Sequence, residues 1–90
     1  MVYLNWDNQK NELLKKTRGI CFEEIALLIE VNQIIAIEEN PSRPGQKLYI
    51  VEIEGYAVVV PFVETETEFI LKTAFPSRKY TKKYILGGDR

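Results

Sequence analysis

The spacing of apolar residues changes near residue 33, and this change constrains the fold more than any other feature of the chain. Before it, apolar residues recur every three to four positions, as in Phe22, Ile25 and Ile29, which is the period of an amphipathic helix. After it, they alternate along residues 48–54 and fill residues 56–63, as is typical of strands. The pattern predicts helices first and a sheet second.

Two helices are predicted in the first third of the chain. The first spans residues 8–17, where Asp7 is placed to cap the free amides and Gly19 follows a cationic last turn. The second covers residues 22–31, with Cys21 in the capping position. Both helices are expected to pack on one face of the sheet.

Four strands follow, separated by loops. They are predicted at residues 34–37, 48–54, 56–63 and 69–75, with a polar loop over residues 40–45 and a tight turn at Gly55. Residues 56–63 are apolar on both faces, which indicates a central strand. Pro61 lacks a backbone donor, so it is expected at a bulge or at the frayed end of that strand. A short basic helix opens at Pro76 or Ser77.

This order of elements predicts an α+β fold. Two N-terminal helices pack on an antiparallel, three- to four-stranded meander sheet, and the short basic helix closes the chain. Ninety residues allow one domain with a modest core, placed at residues 1–86, with residues 87–90 as a flexible tail. No apolar run has the length of a membrane span and no signal peptide opens the chain, so a cytoplasmic protein that does not enter membranes is expected.

Composition argues against several classes of chemistry. The chain has no histidine and one cysteine, which disfavours a structural zinc site, an internal disulfide and thiol catalysis with an imidazole base. It contains no glycine-rich phosphate loop, no paired metal carboxylates and no Ser/His/Asp order. We therefore expect a protein that uses neither a metal nor a cofactor.

Charge is segregated along the chain although the total is −1. Residues 1–22 carry four Lys/Arg and two Asp/Glu, a net of +2; residues 23–68 carry two and ten, a net of −8; residues 69–90 carry six and one, a net of +5. Positive ends around an acidic middle suggest a polyanion at the basic pole and a basic protein elsewhere.

The C-terminal segment interleaves cations with aromatic residues. Lys72 lies on the last predicted strand. The helix that follows carries four more cations: Arg78, Lys79, Lys82 and Lys83. Spacings of three and four bring like charges together on that helix, and a bound polyanion would screen their repulsion. Tyr80 and Tyr84 either stack on bases or dock the helix on the sheet. For these cations, contact with RNA is favoured over a role in keeping the protein soluble.

Both ends of the chain carry short motifs that occur together in a known family. They are Trp6-Asp7 with Lys10, then Arg18-Gly19-Ile20-Cys21-Phe22-Glu23-Glu24, and finally Ser77-Arg78-Lys79 closing at Tyr84. In this order and spacing they resemble BrnT-type toxins over residues 3–84. The resemblance implies a fold related to RelE-like ribonuclease toxins, inhibition of translation by RNA cleavage, and neutralisation by an antitoxin encoded beside the gene. Arg18 stands where those toxins often have histidine, and Cys21 where they often have serine.

The resemblance also implies active-site roles for Lys10 and Arg78. Metal-free cleavage lets the 2′-hydroxyl attack its neighbouring phosphate, so the site must hold that geometry and stabilise added negative charge. Arg78 is expected to clamp the phosphate, and Lys10 or Lys72 to act as the base among crowded cations. Glu23 or Glu24 is the alternative base, although both suit the start of a helix. Contacts to RNA are assigned to Arg18, Lys79, Tyr80, Lys82, Lys83 and Tyr84.

Two questions stay open at this point. Lys10 shares a helix face with Leu13 and Leu14, so its stem either covers the edge of the core or lies beside a functional cleft. The chain as a whole is either a toxin or a non-catalytic RNA- or protein-binding module that uses the same basic helix. A third reading is an interaction protein whose acidic middle docks a basic partner. Homo- and hetero-oligomers both suit its size.

Overall fold

A computed structural model describes residues 3–87. The elements of this part of the chain are β1 (Tyr3–Trp6), α1 (Asn8–Arg18), α2 (Phe22–Glu30), β2 (Ala36–Glu39), β3 (Lys47–Ile53), β4 (Tyr56–Glu64), β5 (Glu68–Leu71), β6 (Phe75–Pro76) and α3 (Arg78–Tyr84). None of these helices is long and apolar enough to cross a membrane. Most of the predicted C-terminal tail lies outside the described residues.

The strands of residues 3–87 form one mixed sheet. Its order is β1-β5-β4-β3-β2, and β6 pairs with β4 beyond the end of β5. Strands β2 to β5 pair antiparallel in chain order, which confirms the predicted α+β fold and its meander. The added element is β1, which pairs parallel to β5 from Tyr3↔Glu68 to Trp6↔Leu71. Four residues carry too little pattern to indicate a strand, and the partner strand lies near the other end of the chain.

Helices cover both faces of the sheet. The larger core joins Leu14 of α1 and Phe22 of α2 to strand residues that include Val58. The smaller core lies on the other face, where Tyr80 of α3 packs against residues that include Val59. Successive residues of β4 point to opposite faces, so the neighbours Val58 and Val59 serve different cores. The two N-terminal helices share one face as predicted, and the basic helix has the other.

A bulge interrupts the pairing along one edge of β4. The pairs that flank it are Phe62↔Leu71 and Val59↔Phe75. Between these pairs, two residues of β4 face three residues, 72–74, which we call the bulge segment. Pro61 lies at this position, and its carbonyl accepts from the Lys72 nitrogen at 2.8 Å. In a strand, the nitrogen and the carbonyl of one residue point toward the same neighbouring strand, so the nitrogen of Pro61 also faces the bulge segment. The N–H that proline lacks is therefore missing where regular pairing is already interrupted.

The ends of α1 agree with the sequence pattern, whereas the start of α2 has a different cap. Asp7 Oδ1 accepts from the Gln9 nitrogen at 2.8 Å, and Gly19 ends α1 with a φ of 66°. Cys21 makes no side-chain capping bond to α2. Instead, Oδ1 of the buried Asn11 accepts from the Phe22 nitrogen at 2.8 Å. The first amide of α2 is therefore satisfied by a residue of α1.

Two hydroxyls fix α3 to the sheet. Ser77 caps the helix by accepting from the Tyr80 nitrogen at 3.2 Å. The buried Thr81 accepts from the Ala57 nitrogen at 2.9 Å and donates to the Ser77 carbonyl at 2.6 Å. Since Ala57 belongs to β4, the bond from its nitrogen to Thr81 attaches α3 directly to that strand. This attachment fixes the positions of the basic side chains of α3.

Candidate nucleic-acid interface

A cleft of about 650 Å³ opens on the face of the sheet that α3 covers. We call it the basic cleft. Its lining residues are Lys10, Asn40, Pro41, Ser42, Arg43, Gln46, Leu48, Val59, Pro61, Lys72, Thr73, Phe75, Lys79 and Tyr80. They come from the start of α1, the β2–β3 loop, strands β3, β4 and β6, the bulge segment and the start of α3.

Of the residues that the structure describes, no carboxylate lines the basic cleft and four cations do: Lys10, Arg43, Lys72 and Lys79. The ion pairs found within residues 3–87 involve three other lysines, so none of these four cations forms an ion pair with an acid of that part of the chain. The whole chain has a net charge of −1, so an excess of cations in the composition does not explain the cluster. A concave surface with one sign of charge attracts an anion with several charges.

Each of the four cations is held by a different part of the fold. Lys10 is half-buried in the first turn of α1, whose start is held by Asp7. Lys72 lies on the bulge segment, where a bulge redirects side chains out of the regular strand. Arg43 lies in a loop closed by a bond from the Asn40 nitrogen to the Gln46 carbonyl at 3.1 Å. Tertiary structure, and not local sequence, brings these charges together.

The remaining lining is apolar and aromatic. Leu48, Val59 and Pro61 form buried parts of the lining, on the side of the sheet that holds the smaller core. Phe75 of β6 is 37% exposed and also lines the cleft. Cations together with an accessible aromatic ring suit a nucleic acid, which offers phosphates and base faces.

Tyr80 is shared between the core and the cleft. It is 9% exposed and packs in the smaller core, and the Lys79 ammonium lies 5.3 Å from its ring centroid. Burial, followed by the nearby Glu38 carboxylate, raises the pKa of the Tyr80 hydroxyl. This tyrosine docks the helix, which leaves little of its ring for a base.

Tyr84 and Lys83 interact with β2 and do not line the basic cleft. The Tyr84 hydroxyl donates to Glu38, and the Lys83 ammonium donates to the same carboxylate oxygen at 3.1 Å. The hydrogen bond from Tyr84, reinforced by Lys83, lowers the pKa of Glu38 despite its partial burial. Both were predicted as RNA contacts; in the structure they form a contact that holds α3 against the edge strand.

Three further residues predicted to bind RNA or phosphate lie outside the basic cleft. The Arg18 guanidinium donates through Nη1 to the carbonyl of the buried Ala74 at 2.7 Å, and Arg18 lines a separate cleft. Arg78 is the exposed first residue of α3, and Lys82 is exposed one turn later. The structure brings Lys10 together with Lys72 and Lys79, and not with Arg78.

Among the charged and aromatic residues of the lining, sequence reasoning missed two, Arg43 and Phe75. Arg43 is one of two cations in the acidic middle of the chain, and its position between Pro41 and Pro44 marks it only as a loop residue. Phe75 reads as the last residue of a strand. Phe75 reaches the cleft through its pairing with Val59, and Arg43 through a loop that meets distant segments of the chain there, neither of which the sequence pattern reveals.

The acidic residues of the described part of the chain lie outside the basic cleft. Glu23, an alternative base in the sequence analysis, accepts from Asn11 Nδ2 at 2.9 Å at the start of α2. That hydrogen bond is the main cause of the lowered pKa of Glu23. Within residues 3–87, no group of three or more His, Cys, Asp or Glu side chains is arranged to hold a metal ion.

Comparisons of this chain with protein-family models, with curated proteins and with solved structures find no match. The resemblance to BrnT-type toxins therefore depends on the short motifs quoted above.

Proposed function

We propose that this chain is an RNA-cleaving toxin of the BrnT type, a metal-independent endoribonuclease that acts in the cytoplasm and inhibits translation. The basic cleft is the observation that supports this proposal. Its four cations converge from four parts of the fold, and its lining contains no carboxylate. A phosphodiester chain is the common ligand that carries repeated negative charge and planar apolar groups.

The proposed reaction uses the RNA's own 2′-hydroxyl. This oxygen loses its proton and bonds to the adjacent phosphorus; the bond to the 5′-oxygen breaks, and that oxygen takes up a proton. The transition state carries extra charge on phosphate oxygens, which nearby cations stabilise without metal. Lys72 and Lys79 are proposed to bind the phosphate, and Lys10 or Lys72 is proposed to move the proton.

Binding is tested by two lysines on the same helix. Lys79 lines the basic cleft, whereas Lys82, three positions on, is exposed and does not. Lys79→Ala should reduce the slope of log affinity against log salt by about 0.7 for a single-stranded RNA. Lys82→Ala should reduce it clearly less. Fluorescence anisotropy over a series of salt concentrations measures both, and equal losses would show that α3 binds RNA without the cleft.

Cleavage is tested by inducing the gene in cells and examining total RNA. Wild type should arrest growth and cut RNA, and Lys10→Ala and Lys72→Ala should each remove both effects while the protein unfolds at an unchanged denaturant concentration. Arg78 is the predicted phosphate clamp, because its planar guanidinium matches phosphate oxygens, whereas the lining of the basic cleft favours Lys79. Comparing Arg78→Ala with Lys79→Ala assigns that role. If the two single variants, Lys10→Ala and Lys72→Ala, both remained fully toxic, the proposal would be contradicted.

The second candidate is a non-catalytic RNA-binding module. It is favoured by the chemistry of the lining, which contains neither an imidazole nor a carboxylate, the two groups most used for proton transfer. Purified protein incubated with RNA distinguishes the candidates. Salt-dependent binding that leaves the RNA uncut would support the module and contradict the toxin.

The proposed protein partner is an antitoxin encoded beside the gene. The acidic middle of the chain, with a net charge of −8 over residues 23–68, favours a basic partner surface. Co-expression with the neighbouring reading frame should give a complex that copurifies and restores growth. Continued arrest in the presence of every adjacent reading frame would contradict this pairing.

A further inference from the structure

We infer that the basic cleft binds an unpaired nucleotide, with its base against the Phe75 ring and its flanking phosphates at the surrounding cations. The inference rests on the proposed RNA function and makes it more specific. Single-stranded RNA, and not duplex RNA, would be the ligand, and Phe75 would be the residue that makes this distinction.

Phe75 has the position that a base-stacking residue requires. It lies opposite Val59 in the pairing of β6 with β4, next to the apolar lining of the basic cleft. The side chain is 37% exposed, so part of the ring is open to solvent. The aromatic contacts found within residues 3–87 involve other rings, and none of them covers Phe75.

The charges around Phe75 fit a strand that passes over it. Lys72 precedes it on the bulge segment, and Lys79 follows on α3, while Arg43 and Lys10 reach the same cleft from elsewhere. Phosphates on either side of one nucleotide then meet cations while the base faces the ring. A cleft lined only by cationic side chains would contact the phosphate backbone of the RNA and not its bases.

The choice of a single strand follows from where the base faces are. In a duplex, each base is paired and stacked inside the helix, so its face cannot reach a protein ring without being flipped out. In a single strand, base faces are available, and stacking on an aromatic side chain tolerates any sequence. Electrostatics alone would favour the duplex, since its charge density is higher. Preference for the single strand therefore reports contact with a base.

The first test removes the ring. Phe75→Ala should weaken binding of a single-stranded RNA by about 5- to 150-fold. Phe75→Leu keeps apolar volume without a ring and should lose most of the same affinity. Tyr56 is a matched control, since it is 38% exposed and lines a different cleft. Tyr56→Ala should bind as wild type does.

The second test removes the base. On an abasic strand of the same length, wild type and Phe75→Ala should bind equally weakly, because the phosphates remain and the stacking partner is gone. On a duplex of the same sequence, wild type should bind more weakly than on the single strand. Anisotropy at one fixed salt concentration measures all of these affinities.

The outcomes separate this inference from the proposed function. Tight, salt-dependent binding that is unchanged in Phe75→Ala, or is stronger for the duplex, would overturn the inference and leave an RNA-binding cleft. No binding of either nucleic acid by wild type would overturn the proposed function and the inference together.

Discussion

Asn11 connects the two N-terminal helices, and its removal is the sharpest test of how the larger core is assembled. The side chain is 2% exposed. Its Oδ1 accepts from the Phe22 nitrogen at 2.8 Å, and its Nδ2 donates to Glu23 Oε1 at 2.9 Å. Because Cys21 provides no side-chain cap, Asn11 performs that task for α2 from a different helix.

Asn11→Ala should lower the free energy of unfolding by about 2–4 kcal/mol. The Phe22 residue is fully buried, so water cannot replace the lost acceptor, and an orphaned buried amide costs about 1–3 kcal/mol. The side-chain amide also leaves a void in a packed region, which adds to the loss. Such a loss is a large part of the about 5–15 kcal/mol that holds a typical domain folded. It should lower Tm by roughly 10–20 °C.

Urea unfolding followed by circular dichroism measures the effect, with two matched variants. Asn8→Ala makes the same substitution at an exposed position of α1 and should change stability by less than about 0.5 kcal/mol. Asn11→Asp keeps the acceptor for Phe22 but places a second carboxylate beside Glu23. Its deficit relative to wild type should shrink as pH falls from 7 to 3, since the mutual repulsion disappears when either acid is protonated. An Asn11→Ala protein as stable as Asn8→Ala would refute the reasoning.

Three further predictions follow from the contacts around the sheet. Arg18→Ala leaves the Ala74 carbonyl without its guanidinium partner, so the free energy of unfolding should fall by about 1–3 kcal/mol. Amide hydrogen exchange in the bulge segment should become faster, and an unchanged exchange rate would contradict the contact. Cys21→Ser supplies the absent side-chain cap, so the free energy of unfolding in urea should rise by about 0.5–1 kcal/mol, and a fall would contradict it. The lowered pKa of Glu38, caused first by Tyr84, means that this carboxylate stabilises the fold above its unfolded pKa and stops doing so as pH falls through the folded value. Glu38→Gln should therefore be less stable than wild type at pH 7, and the difference should shrink as pH falls below about 4.3, the usual pKa of a glutamate, as measured by urea unfolding.

Local signals predicted the helices and the hairpin well. The Asp7 cap and the Gly19 stop of α1 depend only on neighbouring residues, and both are confirmed. The hairpin turn at Gly55 is likewise confirmed, with positive φ at Glu54 (54°) and Gly55 (81°), as a two-residue turn between paired strands requires. Pro61 also carried correct information, since a residue without an N–H is tolerated at a bulge.

Features that depend on contacts between distant parts of the chain could not be predicted from local sequence patterns. The strand β1 exists because it pairs with β5, and its four residues alone have no distinctive period. Lys83 and Tyr84 read as nucleic-acid contacts by composition, yet Glu38 binds both of them. Arg43 reads as a loop cation, yet it lines the cleft. In each case residues far apart in the chain come together in the fold.

The amino-acid sequence by itself determined the class of fold, the order of helices and strands, and the separation of basic ends from an acidic middle. Periodicity, capping residues and net charge are local or additive properties, so they can be read without a structure. Tertiary structure alone decided which cations share a cleft, because α1, the β2–β3 loop, the bulge segment and α3 meet only after the sheet has formed. Side chains from distant segments become one site through strand register, and register is set by packing and pairing across the whole chain.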